Sequence, residues 1–326
     1  MFSSTSDLIT FSSAILNHRL LSAAATRKWL QPLAFTTASS FSVGAPWEIG
    51  RSDTLTVDGR TIDVYTKTGD LGAYHAVIAL VQDYDLVVTV MTGGQEVSAE
   101  PASRTIFLST ALRALIPALE KAGRDEAASA GYVGVFADEA SNSSLVLTSD
   151  GGPGLVMQSF NVRGFNVLGQ FGSYSLAALE TASQLSTKPP VKADARLYPT
   201  DRRSNTTIGA ETAWRVVVDT ATDEQKKKLD DQMFYQNGSC VTWFGMDRSA
   251  YNFLSLADFV IVTGFDGSVT AIKNPAFGVT LARTSQPIPS GGEVESSNTS
   301  AAGRVHIGGH AAAVLVGALL CALAML

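Results

Sequence analysis

Lys67-Thr68-Gly69 are the residues of this chain best placed to do chemistry, because they end the alternating run Thr61-Ile62-Asp63-Val64-Tyr65-Thr66 and lead into Asp70-Leu71-Gly72. Ile62, Val64 and Thr66 fall on one face of such a strand, and Asp63, Tyr65 and Lys67 on the other. The lysine is therefore carried on a polar, cleft-capable face, where a fixed ammonium beside aligned backbone N–H groups stabilises an anion developing on a carbonyl. Acyl transfer also needs an activated nucleophile. His75 stands next to this strand, but no serine or acid is spaced to complete a triad with it, and it reads as a structural histidine. His306 and His310 have helix-like metal-ligand spacing yet flank Gly308-Gly309, and two ligands do not make a site, so no metal is expected. Asp150-Gly151-Gly152-Pro153-Gly154 precedes a strand rather than a helix, which makes it a turn and not a phosphate loop, and no cofactor is expected.

The elements that must position Lys67 follow from short connections. Tyr74–Val81, the breaker Gln82-Asp83-Tyr84-Asp85 and Leu86–Met91 continue the motif strand into three consecutive antiparallel strands. Upstream, Asp58-Gly59 signals a hairpin turn, with Thr54-Leu55-Thr56-Val57 as the strand before it. Pro101 and Ser103 open a helix whose Leu108, Leu112, Leu115 and Leu119 share one stripe, with Lys121, Gly123 and Arg124 closing it. Residues 7–30 read as two helices: Asp7 caps the first, which carries the stripe Leu8, Phe11, Ile15 and Leu16, and Ser22 precedes the second, which ends near Trp29 before Pro32. A helix laid on the last strands of a sheet fits an α/β sandwich layer.

Beyond Ala130 the pattern changes to short strands at 132–136, 144–148, 155–160, 196–198, 214–218, 241–244, 259–263 and 269–272, which suggests a small antiparallel barrel or sandwich. The fold class is α+β. Four segments are expected: an α/β part over 1–126, a β-rich domain over 131–285, a Ser/Gly/Pro linker over 286–310 and a hydrophobic tail over 311–326.

At 326 residues and 45% hydrophobic content the chain can bury a sizeable core. A net charge of -6 provides no footprint for nucleic acid, and Lys226-Lys227-Lys228 beside Asp223, Glu224, Asp230 and Asp231 reads as a solvated helix face. The two cysteines, Cys240 and Cys321, are too few for a disulfide framework or a cysteine-based metal site. Cys240 is either a buried small hydrophobe or the orphan of a pair. Met1–Asp7 hold no charged n-region, apolar core or cleavage site, so no signal peptide is written there. Asn142, Asn205, Asn237 and Asn298 each begin a glycosylation sequon, which suits a secreted glycoprotein.

With those residues in hand, the chain resembles the C-terminal portion of the secreted fungal branch of the serine β-lactamase-like (penicillin-binding-protein, transpeptidase-like) family. Met1–Leu8 is similar to the start of a helix late in that family's helical subdomain, and Val43-Gly44-Ala45-Pro46-Trp47-Glu48-Ile49 with Tyr65–Tyr74 resembles its third-motif strand. Gly238-Ser239-Cys240-Val241-Thr242-Trp243 and Leu256-Ala257-Asp258-Phe259 resemble the β-rich domain that this branch appends. The resemblance implies a truncated transpeptidase-like sandwich in which Lys67 and Thr68 bind a substrate carboxylate, Gly69 lets substrate lie along the strand edge, and the Asp70 backbone N–H is the oxyanion donor. It also implies a Ser-x-x-Lys nucleophile motif, and here no lysine has a serine three residues before it. The second motif, Tyr-x-Asn, occurs only as Tyr235-Gln236-Asn237, on the wrong side of the third motif.

The expected function is thus a β-lactamase-related protein that is catalytically silent as written. The alternatives are a non-catalytic surface protein binding peptide or carboxylate ligands, or part of an active β-lactamase, peptidase or esterase. The first part of the chain is expected to leave apolar surface such as Val77, Ala79 and Val81 partly bare. At the other end, Ser300-Ala301-Ala302, a polar spacer to His310 and the apolar run Ala311–Leu326 match a glycosylphosphatidylinositol signal with attachment at Ser300, which places the protein at the cell surface if it enters the secretory pathway. Without an upstream signal the same run reads as a tail anchor, and membrane is in either case the partner of this end.

Overall fold

A computed structural model describes residues 3–94, 103–171, 194–219, 223–234 and 249–289. The chain divides into two compact units, one within residues 1–120 and one within 121–306.

The first unit opens with α1 (Thr5–Leu16) and α2 (Ala23–Trp29). The cap of α1 is Ser4 and not Asp7: Ser4 takes the extended conformation that a cap needs, and its Oγ accepts the Asp7 N–H at 3.1 Å while donating to the Asp7 carboxylate at 2.8 Å. Ser22 caps α2 in the same way. Six strands follow, β1 (Ala34–Phe35), β2 (Phe41–Val43), β3 (Glu48–Ser52), β4 (Ile62–Leu71), β5 (Tyr74–Val81) and β6 (Leu86–Gly93), antiparallel and in chain order. Residues 54–57 are not a strand. The partner of β4 is β3, and the intervening loop turns inward to bury Leu55 and to set Arg60 between Asp58 and Glu120. Burial and a hydrogen bond to Glu120 push the neighbouring Tyr84 phenol well above its usual pKa.

Alternation along these strands sorts their side chains into two clusters on opposite faces. Ile62, Val64, Val77, Ala79, Val81, Val88 and Val90 pack against Leu108, Leu112 and Ile116 of α3 (Ser103–Ser129), while Trp47, Ile49 and Leu80 pack with Ile15 and Leu30. The expected bare surface at Val77, Ala79 and Val81 is therefore absent, because the buried stripe of α3 covers it. That helix also outruns its expected close at Gly123. It stops in a Schellman motif, with Gly131 at φ 84, its N–H donating to Ala128 O and the Tyr132 N–H donating to Ala127 O.

The second unit contains β7 (Gly134–Asp138), β8 (Ser143–Thr148), β9 (Leu155–Val162), β10 (Phe165–Asn166), α4 (Val167–Phe171), β11 (Asp194–Thr206), β12 (Gly209–Asp219), α5 (Asp223–Asp230), the small hairpin β13 (Ala250–Tyr251) and β14 (Leu254–Ser255), then β15 (Asp258–Thr263), β16 (Val269–Asn274) and β17 (Val279–Arg283). Hydrogen bonding runs β9-β11-β12-β15-β16-β17-β7-β8 and returns from β8 to β9, so eight antiparallel strands close a barrel. Of barrel and sandwich, the barrel forms. An eight-stranded barrel is just wide enough for side chains to fill it, and Phe136, Leu145, Leu147, Phe160, Leu197 and Phe259 fill this one. The expected strand at 241–244 lies outside the described residues, as do Tyr235, Asn237, Cys240, Asn298, Ser300 and the tail from 311. Lys226-Lys227-Lys228 stand on α5, where Lys226 pairs with Asp219 and Lys227 with Asp231.

Candidate functional site

Strand β4 is longer than its neighbour β3. Their register opposes Glu48, the first residue of β3, to Thr66, so Lys67 to Leu71 continue past the end of β3 while their other edge stays paired to β5, from Lys67↔Ile78 to Leu71↔Tyr74. The hairpin that closes this pairing turns at Gly72-Ala73, with Gly72 at φ 58. One edge of β4 is thereby left without a described strand partner over Lys67, Thr68, Gly69 and Asp70.

Glu48 reaches across that edge. Its carboxylate accepts the Lys67 ammonium at 2.5 Å, the Thr68 backbone N–H at 3.2 Å and the Thr68 hydroxyl at 3.0 Å. Its placement comes from its neighbours, since Trp47 and Ile49 on either side are buried with Ile15 and Leu30 and turn the residue between them the other way. The Thr68 N–H points to the open edge, and backbone groups two residues apart along a strand point alike, so the Asp70 N–H faces the same way. A side chain added at Gly69 would meet nothing within 4 Å, which leaves open space beside the strand at that position.

The Asp70 carboxylate looks elsewhere. It accepts the buried His75 Nδ1 at 2.5 Å and a guanidinium N–H from Arg104 in the first turn of α3. An ionised carboxylate can only accept, so Nδ1 is the donor in this pair, and the buried Nε2 has no hydrogen-bond partner among the described residues. The expectation that no acid is placed for His75 is overturned. The two-residue turn opposes Asp70 to His75 across the hairpin, a register that the Leu71-Gly72-Ala73-Tyr74 spacing already contained. No serine hydroxyl among the described residues bonds this pair.

Sequence reasoning missed Glu48 and Arg104. Neither carried a local signal: the loop between β3 and β4 hides their register, and Arg104 reaches Asp70 only because α3 lies on the sheet. Asn142 is exposed in the β7–β8 turn and Asn205 exposed on β11. Among the described residues no three His, Cys, Asp or Glu side chains are placed to hold a metal ion, and no helix is long and apolar enough to cross a membrane.

The family described as "Beta-lactamase-like-like, C-terminal domain" matches residues 123–285. The chain is 26% identical over 291 residues to the "Beta-lactamase-like protein" of Arthroderma benhamiae, covering 84% of this chain and 47% of that one. It is 27% identical over 172 residues to "Probable hydrolase clz13" of Cochliobolus lunatus, covering 52% of this chain and 27% of that one. A third relative, "Probable hydrolase M10" of a Phoma species, is 30% identical over 95 residues, or 29% of this chain and 16% of that one. The chain thus spans about half the length of the first of these relatives and less of the others.

Proposed function

Because this chain belongs to the β-lactamase-like C-terminal-domain family, we propose that its first unit is the third-motif part of a serine-hydrolase-type site, joined to the appended barrel. The observation that carries this reading is the open β4 edge: Lys67, the Thr68 and Asp70 backbone N–H groups and the space beside Gly69 line one strand segment. Such an edge can hold an acyl group by strand-like hydrogen bonds and stabilise negative charge on its carbonyl oxygen. No lysine has a serine three residues before it, so the chain as written is catalytically silent. The purified chain should hydrolyse neither a chromogenic β-lactam nor a short-chain ester. Covalent labelling by a fluorescent penicillin that disappears on replacing one serine would overturn this.

A second reading is favoured by one observation, the 47% coverage of the Arthroderma relative: the chain is then the C-terminal part of an active serine hydrolase. Translation of the genomic sequence ahead of Met1 separates the two, since an in-frame Ser-x-x-Lys would establish the second and a stop codon would remove it. A third, peptide capture at the cell surface, is supported by the same β4 edge, which beyond Thr66 has no strand partner among the described residues. For location, the four sequons and the Ser300 signal support a glycosylated, lipid-anchored surface protein. Phosphatidylinositol-specific phospholipase C should release it from membranes, and retention with Cys321 still present by mass spectrometry would sink the lipid anchor in favour of a tail anchor.

A further inference from the structure

Among the described residues, the ammonium at the open β4 edge already holds a carboxylate, since Lys67 is paired with Glu48, and the nearby Arg104 is taken by Asp70. Glu48 goes further than pairing. Its two oxygens take the Lys67 ammonium, the Thr68 N–H and the Thr68 hydroxyl together, which is the donor set that an external carboxylate would need. Resting on the edge reading above, we propose that Glu48 is the specificity-determining residue of this site: it occupies the carboxylate position from within the chain and restricts the edge to neutral acyl compounds, esters or amides.

The physical reason is tethering. A group fixed on the adjacent strand competes at an effective concentration of millimolar or more, which a dissolved acid must exceed to displace it. An anion approaching a seated Glu48 also meets like charge, and rejection by repulsion discriminates as well as attraction does. A neutral ester meets neither obstacle. It needs only the edge beyond Thr68, where the Asp70 N–H and the space beside Gly69 are unoccupied by Glu48.

The test compares N-acetylglycine with its methyl ester on the full chain by ligand-detected NMR. Unaltered protein should bind the ester and not the acid. Glu48→Ala should raise acid binding relative to ester binding at least about tenfold over the unaltered chain, and lose that gain when Lys67→Ala is added. Glu48→Gln keeps hydrogen-bonding reach without charge, should also gain acid binding, and serves where the alanine form does not fold. Acid binding by the unaltered chain equal to that of the variants overturns the proposal, and so does a parallel change in acid and ester, which marks a purely structural residue. Ester binding with no gain for the acid removes only the role of Glu48, whereas binding of neither probe by any form removes the edge reading with it.

Discussion

At Gly69 the residue type matters for what lies beside the strand rather than for the strand itself. A side chain there would point into open space, so Gly69→Val should change stability by no more than about 0.5 kcal/mol, as surface substitutions do, while blocking the methyl ester. Thermal melting paired with the NMR assay checks both halves, and a variant that still binds the ester would show that ligand does not lie along this segment. In the barrel unit the informative residue is Asp150. Partial burial works to raise its pKa, but hydrogen bonds from Arg196 and the Gly152 N–H, with the guanidinium charge, outweigh burial and hold the carboxyl below its usual range. The folded state therefore binds fewer protons than the unfolded state as pH falls through that range. The stability due to Asp150 is present above the unfolded value of about 3.9 and is lost below it as pH falls through the folded pKa. The melting-temperature gap between the unaltered protein and Asp150→Asn should accordingly narrow from pH ~5 to pH ~2, and a constant gap would remove the ion pair as its cause.

Among the elements, α3 depends on where it stops. Residues 124–129 have good helix formers, and Gly123 alone, at roughly 1 kcal/mol against alanine, cannot end a helix that tertiary packing extends. The stop needs a residue at φ 84, which Gly131 supplies, and Arg283 donates to the Gly131 carbonyl beside it. Gly131→Ala would strain the left-handed cap and crowd the Arg283 guanidinium, at a cost of about 1–2 kcal/mol. Chemical denaturation should show the lower midpoint with an unchanged slope. No loss of stability would mean that Arg283 swings away and another residue takes the cap. The hairpin of β4 and β5 shows the complementary case, where a two-residue turn sets Asp70 opposite His75 without help from distant parts of the chain.

For the molecule as a whole, closure of the barrel decides how the second unit is held. Eight strands in a ring leave no hydrogen-bonding edge among themselves, and the interior is filled by aromatic and aliphatic side chains, with Phe259 edge-on to Phe160 at 5.4 Å. Phe259→Ala should cost about 3–5 kcal/mol, because a filled interior cannot collapse around the void. A loss under about 1 kcal/mol, measured by denaturant titration, would contradict a packed core.

The sequence by itself determined whatever depends on neighbours along the chain. Alternation set the faces of β4 and β5, Ser22 marked the start of α2, the Gly72 turn set the hairpin, and the glycine-rich stretch at 150–154 led into a strand, β9. The barrel strands were mostly legible as short alternating segments, but β17 was not foreseen, and the ring closes through it onto β7. Only the tertiary structure decided the site. Glu48 meets Lys67 and Thr68 through a register that an irregular loop conceals, and Arg104 meets Asp70 through the docking of a helix on a sheet. Local preferences fix backbone conformation within a few residues, whereas which carboxylate lies against which cation depends on burial summed over the whole unit.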